Sequence, residues 1–233
     1  MSWLRPSRPA AGPALAAPGH RSESLKALLD SLPPDSRHAV LDLGPPLAGN
    51  IKFLSGLSCR VRIADLHRSL SAESLESRQP EAMGALFERL LPLAPDERFD
   101  ALLAWDVLDY LRPDQVSSLM ARLTPAFQTG ALALVMVSTR RQIPTRPARY
   151  RIVDRETLSC DGPLPLVRAC PQYTQLDLAH LMPGFSVKRS YLLRNGMQEY
   201  LLARDAEGAV KPRGTGTAST VVSERTWFRR SRR

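Results

Sequence analysis

The segment at residues 39–68, AVLDLGPPLAGNIKFLSGLSCRVRIADLHR, constrains the fold of this chain more than any other. An apolar run ends at Asp42 and Gly44, two prolines follow, and a second strand-like run ends at Asp65, 21 residues after Gly44. The pattern predicts a strand, a tight turn, a helix and a second strand, with an acid closing each strand. In doubly wound sheets an acid about 20 residues after the glycine turn accepts hydrogen bonds from ribose hydroxyls. The spacing therefore predicts a nucleoside-binding half-site.

The glycines of this turn fit neither of two common phosphate-binding loops. A dinucleotide site needs Gly-x-Gly-x-x-Gly, whereas the run from Gly44 to Gly49 keeps only the first and last glycines. A P-loop needs Lys followed by Ser or Thr after its last glycine, whereas here Asn50 and Ile51 follow. Both classes of site are therefore disfavoured.

The segment resembles motif I, and the acidic strand end after it, of class I S-adenosylmethionine (SAM)-dependent methyltransferases. The usual motif is Val-Leu-Asp-Leu-Gly-x-Gly-x-Gly, and Pro46 and Ala48 stand where the family has its second and third glycines, so the motif is degenerate here. Residues 99–111, FDALLAWDVLDYL, look like the family's fourth strand and its exit, and the resemblance continues to about residue 203. It implies a divergent Rossmann-like methyltransferase with SAM as cofactor.

The resemblance also implies roles for individual residues. Asp42 would orient the ammonium group of the cofactor, Gly44 would allow close backbone approach, and Asp65 would bind the ribose. The full cofactor-binding set that it implies is Asp42, Gly44, Pro46, Gly49, Asp65 and Leu66. The alternative is that Asp42 and Asp65 only cap strand ends in a fold that has lost its ligand.

Asp106 and Tyr110 are the catalytic candidates, because they follow the fourth strand, where this superfamily lines its methyl-acceptor pocket. The family's amino-methylating motif, Asn/Asp-Pro-Pro-Tyr/Phe, would begin at Asp106 and is absent. The alternative is that nearby Asp109 faces solvent and Tyr110 is a half-buried packing residue.

The hydrophobic pattern predicts the remaining elements. Helical spacing indicates helices at 22–32, 50–57, 80–92, from 113 onward and at 176–181. The segment at 60–65 alternates arginines with apolar residues, which is typical of a partly exposed edge strand, and no strand is predicted between residues 69 and 97. We therefore expect an α/β, Rossmann-like methyltransferase fold whose mostly parallel sheet lacks the third strand. Two apolar runs joined at Asn195 and Gly196 predict a C-terminal antiparallel hairpin.

The charge of +9 is concentrated at the ends of the chain. Residues 1–21 carry +3 and residues 204–233 carry +5, which leaves +1 on the part between them. We expect a disordered leader at 1–21, one methyltransferase-like domain at 22–204 and a basic, disordered tail at 205–233.

The three cysteines lack close spacing, which favours reduced thiols in a cytoplasmic protein and no metal site. No stretch has the length of a membrane span.

The sequence is compatible with three hypotheses for function. The leading one is a SAM-dependent methyltransferase acting on an unidentified acceptor. An anionic acceptor is suggested because residues 139–155 contain six arginines and should lie on the ligand face. The second is a non-catalytic binding or scaffold protein of the same fold, a pseudoenzyme. In the third, the arginine-rich connection and the tail bind nucleic acid, which could be combined with either of the others.

Overall fold

The structure is a computed structural model, and it describes residues 19–71, 80–161 and 166–206. Strands and helices alternate through the first half of the chain, and strands dominate the second. In chain order the elements are β1 (His20–Arg21), α1 (Glu23–Asp30), β2 (His38–Asp42), α2 (Ala48–Ser55), β3 (Cys59–Ile63), α3 (Leu66–Ser71), α4 (Pro80–Leu90), β4 (Phe99–Trp105), α5 (Pro113–Leu123), β5 (Phe127–Ser138), β6 (Gln142–Pro144), β7 (Tyr150–Ile152), β8 (Thr157–Cys160), β9 (Leu166–Ala169), α6 (Gln175–Leu181), β10 (Phe185–Leu192) and β11 (Met197–Arg204).

A six-stranded mixed sheet forms the centre of the fold, in the order β10-β11-β5-β4-β2-β3. Strands β3, β2, β4 and β5 are parallel, whereas β11 runs antiparallel to both β5 and β10. The hairpin between β10 and β11 turns at Gly196, whose φ of +80° lies in the left-handed region that glycine adopts without strain. The predicted fold class, a mostly parallel sheet completed by an antiparallel hairpin, is confirmed.

Strand β3 is the edge of this sheet in the part of the chain that the structure describes. Its burial is partial after Cys59, as the alternation of Arg60 and Arg62 with apolar residues predicts, whereas β4 is almost fully buried. The chain after β3 forms the helices α3 and α4, and no strand occurs in the described residues between 69 and 97. Residues 72–79 fall outside the description. Within the described ranges the sheet therefore lacks the additional strand that the methyltransferase pattern has after β3.

Two apolar layers cover the two faces of the sheet. On one face α4, α5 and α6 pack through buried leucines and phenylalanines, and on the other α1 packs with β7 and β8. Helix α1 begins after Ser22, whose side chain accepts a hydrogen bond from the Leu25 amide at 3.1 Å. Leu25, Leu28 and Leu29 are completely or almost completely buried, as their helical spacing predicts.

Short strands after β5 form two small sheets that the hydrophobic pattern did not predict. Strand β8 pairs with β7 and also with β1, so residues 20 and 21 are paired although they belong to the predicted leader. The folded region thus begins before the predicted boundary at residue 22, while residues 1–18 lie outside the description, as does the predicted tail from residue 207 onward. Within the described ranges no helix has the length and apolar character needed to cross a membrane.

Candidate functional site

The glycine turn (residues 42–44) begins at the last residue of β2, at the carboxyl end of the parallel strands. The Asp42 side chain is only 2% exposed, and its Oδ1 accepts hydrogen bonds from the Gly44 amide at 2.8 Å and from the Trp105 indole Nε1 at 2.6 Å. Burial raises the pKa of Asp42 to about 6, although both hydrogen bonds favour the charged form. The carboxylate that the resemblance assigns to a ligand ammonium group is therefore bonded to the protein itself.

Trp105, the last residue of β4, lies directly against Gly44. A Cβ added to Gly44 would come within 2.8 Å of two indole atoms, so only glycine fits beside this ring. The indole also stacks on Tyr150, with ring centroids 5.4 Å apart and an interplanar angle of 5°. We call Trp105 and Tyr150 the aromatic cover.

The backbone of Trp105 is held in an unusual conformation. Its φ is +49°, a left-handed value that bulky side chains rarely adopt and that costs on the order of 1–3 kcal/mol. The bond to Asp42 and the stack on Tyr150 are the contacts that hold the ring in this position. Backbone strain of this kind is found preferentially at active sites and switch regions.

Asn50 holds the backbone around Tyr150, the second residue of the aromatic cover, in place. Its buried amide, in α2, donates to the Tyr150 carbonyl at 2.9 Å and accepts from the Ile152 amide at 2.9 Å, so it pairs with β7 as a neighbouring strand would. On the other side the Ala148 amide donates to Asp106 Oδ2 at 3.1 Å. The segment that carries Tyr150 is therefore anchored from both directions over the strand ends.

The remaining predicted cofactor residues divide into two groups. The Leu66 amide donates to the carbonyl of Leu43 at 2.9 Å, which brings the end of β3 to the glycine turn. Asp65 is partly exposed there, and its charge contributes to the raised pKa of Asp42. Pro46 and Gly49 are exposed, and a Cβ at Gly49 would meet nothing within 4 Å. The structure thus brings Asp42, Gly44, Asp65 and Leu66 together, whereas Pro46 and Gly49 face solvent.

An open pocket of about 250 Å³ lies beyond the aromatic cover, beside the ends of β4 and β5. It contains both catalytic candidates, and Tyr150 forms part of its wall. Its lining residues are Asp106, Asp109, Tyr110, Ser138, Arg140, Gln142, Ile143, Pro144, Ala148, Tyr150, Cys160, Asp161, Asn195 and Met197. We call it the acidic pocket, and neither the glycine turn nor Asp65 lines it.

The acidic residues of this pocket are unusually buried. Desolvation raises the pKa of Asp106 to about 7, and desolvation together with the charge of Asp106 raises the pKa of Asp109 to about 8. The alternative that Asp109 faces solvent is wrong, because this residue is only 2% exposed. Residues 107–110 form a 3₁₀ turn that buries the Asp109 side chain against β5. There its Oδ2 accepts a hydrogen bond from the Ser138 amide at 2.8 Å. Burial also raises the pKa of Tyr110, which therefore stays protonated.

The arginine-rich connection lies over the strand ends, as its place after β5 predicts. Two of its arginines pair with Asp161, Arg151 at 2.8 Å and Arg149 at 4.0 Å, and Arg155 pairs with Asp30 at 3.2 Å. Arg140 lines the acidic pocket. Half of the six arginines are therefore held in ion pairs with the protein.

The sequence pattern did not identify the aromatic cover or Asn50 as part of the site. Trp105 is the last apolar residue of a buried strand, which gives no sign that its indole reaches back to Asp42. Tyr150 and Asn50 come together across 100 residues of chain. The available signal was local: Trp105 directly precedes Asp106, and Asp109 follows three residues after that acid, within an otherwise apolar run.

Comparisons with known proteins find distant similarities among solved structures. No protein-family model matches the chain, and no curated protein matches it. Among solved structures it is similar to a TehB-like SAM-dependent methyltransferase from Corynebacterium glutamicum, with 12% identity, a TM-score of 0.42, and 78% of this chain and 88% of that chain covered. It is similar to 1,6-didemethyltoxoflavin-N1-methyltransferase from Burkholderia thailandensis, solved with S-adenosylhomocysteine, with 15% identity, a TM-score of 0.43 and coverage of 79% and 80%.

A third similar structure is the glycopeptide N-methyltransferase MtfA complexed with SAM, with 14% identity, a TM-score of 0.42 and coverage of 84% and 99%. All three likenesses are distant. The described residues form an α/β fold whose mostly parallel sheet ends in an antiparallel hairpin. Its glycine turn is covered by its own tryptophan, and its open pocket lies on the far side of that cover.

Proposed function

We propose that this protein is a SAM-dependent methyltransferase whose cofactor cleft is closed by Trp105 until SAM binds. The observation that carries the proposal is the placement of two potential sites on either side of one aromatic pair. The glycine turn touches Trp105, and the acidic pocket is walled by Tyr150, which stacks on Trp105. Movement of this pair would join a nucleoside half-site to an acceptor pocket.

The residues around the glycine turn have the chemistry that SAM requires. The carboxylate of Asp42 suits an ammonium group, and Asp65 at the end of β3 suits ribose hydroxyls. Space is the limiting factor, because the indole fills the room above Gly44 and its N–H takes the position of a ligand donor on Asp42. Trp105 must therefore leave Asp42 for SAM to enter, and its left-handed backbone favours such a movement.

Bound SAM would supply an activated methyl group, so the protein has mainly to position the acceptor. Asp106 is suited to accept a proton from the acceptor near neutral pH, because its pKa is about 7. Tyr110 is suited to donate a hydrogen bond, because its raised pKa keeps the hydroxyl protonated. If the acceptor is anionic, as the arginine-rich connection suggested, Arg140 would be its partner in the pocket.

Calorimetric titration with SAM and with S-adenosylhomocysteine tests the proposal. We expect saturable heat with wild-type protein and at least tenfold weaker binding in Asp65→Ala, because a lost hydrogen bond to a charged group is worth about 1.5–3 kcal/mol. The matched control is Asp96→Ala, an exposed acid in the loop before β4, at the opposite end of the strands. Absence of heat at millimolar SAM, or equal binding by the Asp65 and Asp96 variants, would contradict the proposal.

The second candidate is a methyltransferase-fold binding protein without catalysis. The specific observation in its favour is the same closure, since Asp42 is already satisfied by the Trp105 indole and the Gly44 amide. In that case the acidic pocket alone would bind a ligand. Wild-type protein that binds no SAM, together with a Trp105→Ala variant that folds and still binds none, would support this candidate over the first.

A further inference from the structure

The acidic pocket contains a buried carboxylate oxygen with no hydrogen-bond partner. The side chain of Asp109 lines the pocket and is 2% exposed, and its Oδ2 is bonded to the Ser138 amide. Its Oδ1 has no hydrogen-bond partner in the part of the chain that the structure describes. The Cys170 thiol lies nearby and weakly favours the charged form of Asp109, but it is directed at the Ser138 carbonyl, at 3.9 Å. A buried polar atom of this kind commonly has a ligand or water as its partner.

Carboxyl groups outnumber cationic groups along the pocket wall. Asp106, Asp109 and Asp161 line it, against one guanidinium, that of Arg140. Asp161 is balanced by its ion pair with Arg151. Among the described residues no arginine, lysine or histidine forms an ion pair with Asp109, so a positive charge in the pocket would be its first such partner.

The rest of the wall is aromatic and apolar. Tyr110 and Tyr150 present rings, and Ile143, Pro144 and Met197 present aliphatic surface. Such a lining around a few polar groups is typical of sites for small organic molecules, and aromatic rings also attract cations. No group of three or more His, Cys, Asp or Glu side chains with metal-binding arrangement occurs in the described ranges, which favours an organic cation over a metal ion.

We propose that the acidic pocket binds a small organic ammonium group, with the carboxylates of Asp109 and Asp106 as its partners and the tyrosine rings as its walls. The site is distinct from the glycine turn, so the inference does not depend on SAM binding or methyl transfer. If methyl transfer occurs, an amine held here would be the acceptor.

Binding of this kind must depend on pH. The titratable and charged groups around Asp109 are Asp106, Tyr110, Arg140, Tyr150, Cys160, Asp161, Arg168, Cys170 and Tyr173. Because the pKa of Asp109 is about 8 and that of Asp106 about 7, both carboxyls hold protons at pH 6. An ammonium ligand needs them ionised, so its binding should release protons and strengthen as pH rises, by up to about tenfold per pH unit for each proton released.

Calorimetry with three probes of similar shape tests the inference: benzylamine, benzyl alcohol and benzoate, each at pH 6, 7 and 8. We expect benzylamine to bind most tightly, with proton release that shows as a dependence of the heat on buffer ionisation enthalpy. Asp109→Asn keeps the size of the side chain and should weaken benzylamine at least tenfold. Asp100→Asn, at the opposite end of β4, is the matched control and should leave binding unchanged.

Tighter binding of benzoate than of benzylamine would overturn the inference and favour the anionic acceptor. Equal binding of benzylamine and benzyl alcohol, or equal loss in the Asp109 and Asp100 variants, would also overturn it. The far-ultraviolet circular dichroism spectrum and urea midpoint of each variant show whether it is folded. If benzylamine binds and SAM does not, the inference stands and the proposed methyl transfer fails, so the two failures are distinguishable.

Discussion

Replacing Trp105 with phenylalanine should make the protein less stable and at the same time a better SAM binder. The substitution keeps a ring above Gly44 but removes the indole N–H that donates to Asp42 at 2.6 Å. A hydrogen bond to a charged group contributes about 1.5–3 kcal/mol. At pH 7.5 Asp42 is mostly charged, since its pKa is about 6, so the free energy of unfolding should fall by about that amount. The same bond must break before SAM reaches Asp42, so its loss should tighten SAM binding about ten- to hundredfold.

Urea denaturation and calorimetric SAM titration at pH 7.5 measure the two effects. The matched control is Tyr173→Phe, which removes another buried hydrogen bond, from the Tyr173 hydroxyl to the Leu111 carbonyl at 2.5 Å. That variant should lose stability with no change in SAM affinity. If Trp105→Phe binds SAM no better than wild type, or more weakly, Trp105 does not compete with the cofactor and the reasoning about the closed cleft is refuted.

Three further substitutions test other parts of the site. Gly44→Ala places a Cβ 2.8 Å from the Trp105 indole and should lower the free energy of unfolding by about 1–3 kcal/mol. The control Gly49→Ala, in open space within α2, should be neutral or stabilising by up to about 1 kcal/mol. Equal urea midpoints for the two variants would contradict this prediction. Asn50→Ala removes two 2.9 Å hydrogen bonds to the β7 backbone and should lower the free energy of unfolding by about 1–3 kcal/mol, and an unchanged value would show that β7 is held by other contacts. The raised pKa of Asp109 means that the folded state keeps a proton which the unfolded state loses above about pH 4. The free energy of unfolding of the wild type should therefore fall as pH rises toward 8, by at most about 1.4 kcal/mol per pH unit for this group. The Asp109→Asn variant should show a smaller fall, and an identical pH profile would contradict the raised pKa.

Local patterns predicted several elements of the central sheet and its helices, but not the two small sheets. Helical spacing of leucines identified α1, the alternation at Arg60 and Arg62 identified an edge strand, and the pair Asn195 and Gly196 identified the final hairpin; all three are present. These signals lie within a few residues of one another, so they can be read along the chain. The small sheets were not predicted because β1 and β8 are two and four residues long and pair across most of the chain.

The site was predicted less completely than the fold. Strand-end positions gave Asp42, Gly44 and Asp65, because the carboxyl ends of parallel strands meet at one edge of a sheet. The closure of that site depends on the direction of the Trp105 side chain and on a partner 45 residues away, Tyr150, and neither is encoded in spacing. Burial likewise changes the meaning of an acid after a strand, since it turns a residue expected to face solvent into a group with a strongly raised pKa.

The signal of the Trp105 indole N–H in proton–nitrogen NMR spectra reports whether SAM displaces Trp105 from Asp42. The chain has three tryptophans, so three indole signals are expected, and the Trp105→Phe variant assigns the one that is bonded to Asp42. On addition of SAM, we predict that this signal moves as the hydrogen bond breaks, while the other two stay in place. A Trp105 signal that is unchanged at millimolar SAM would contradict the claim that the cofactor displaces Trp105 from Asp42.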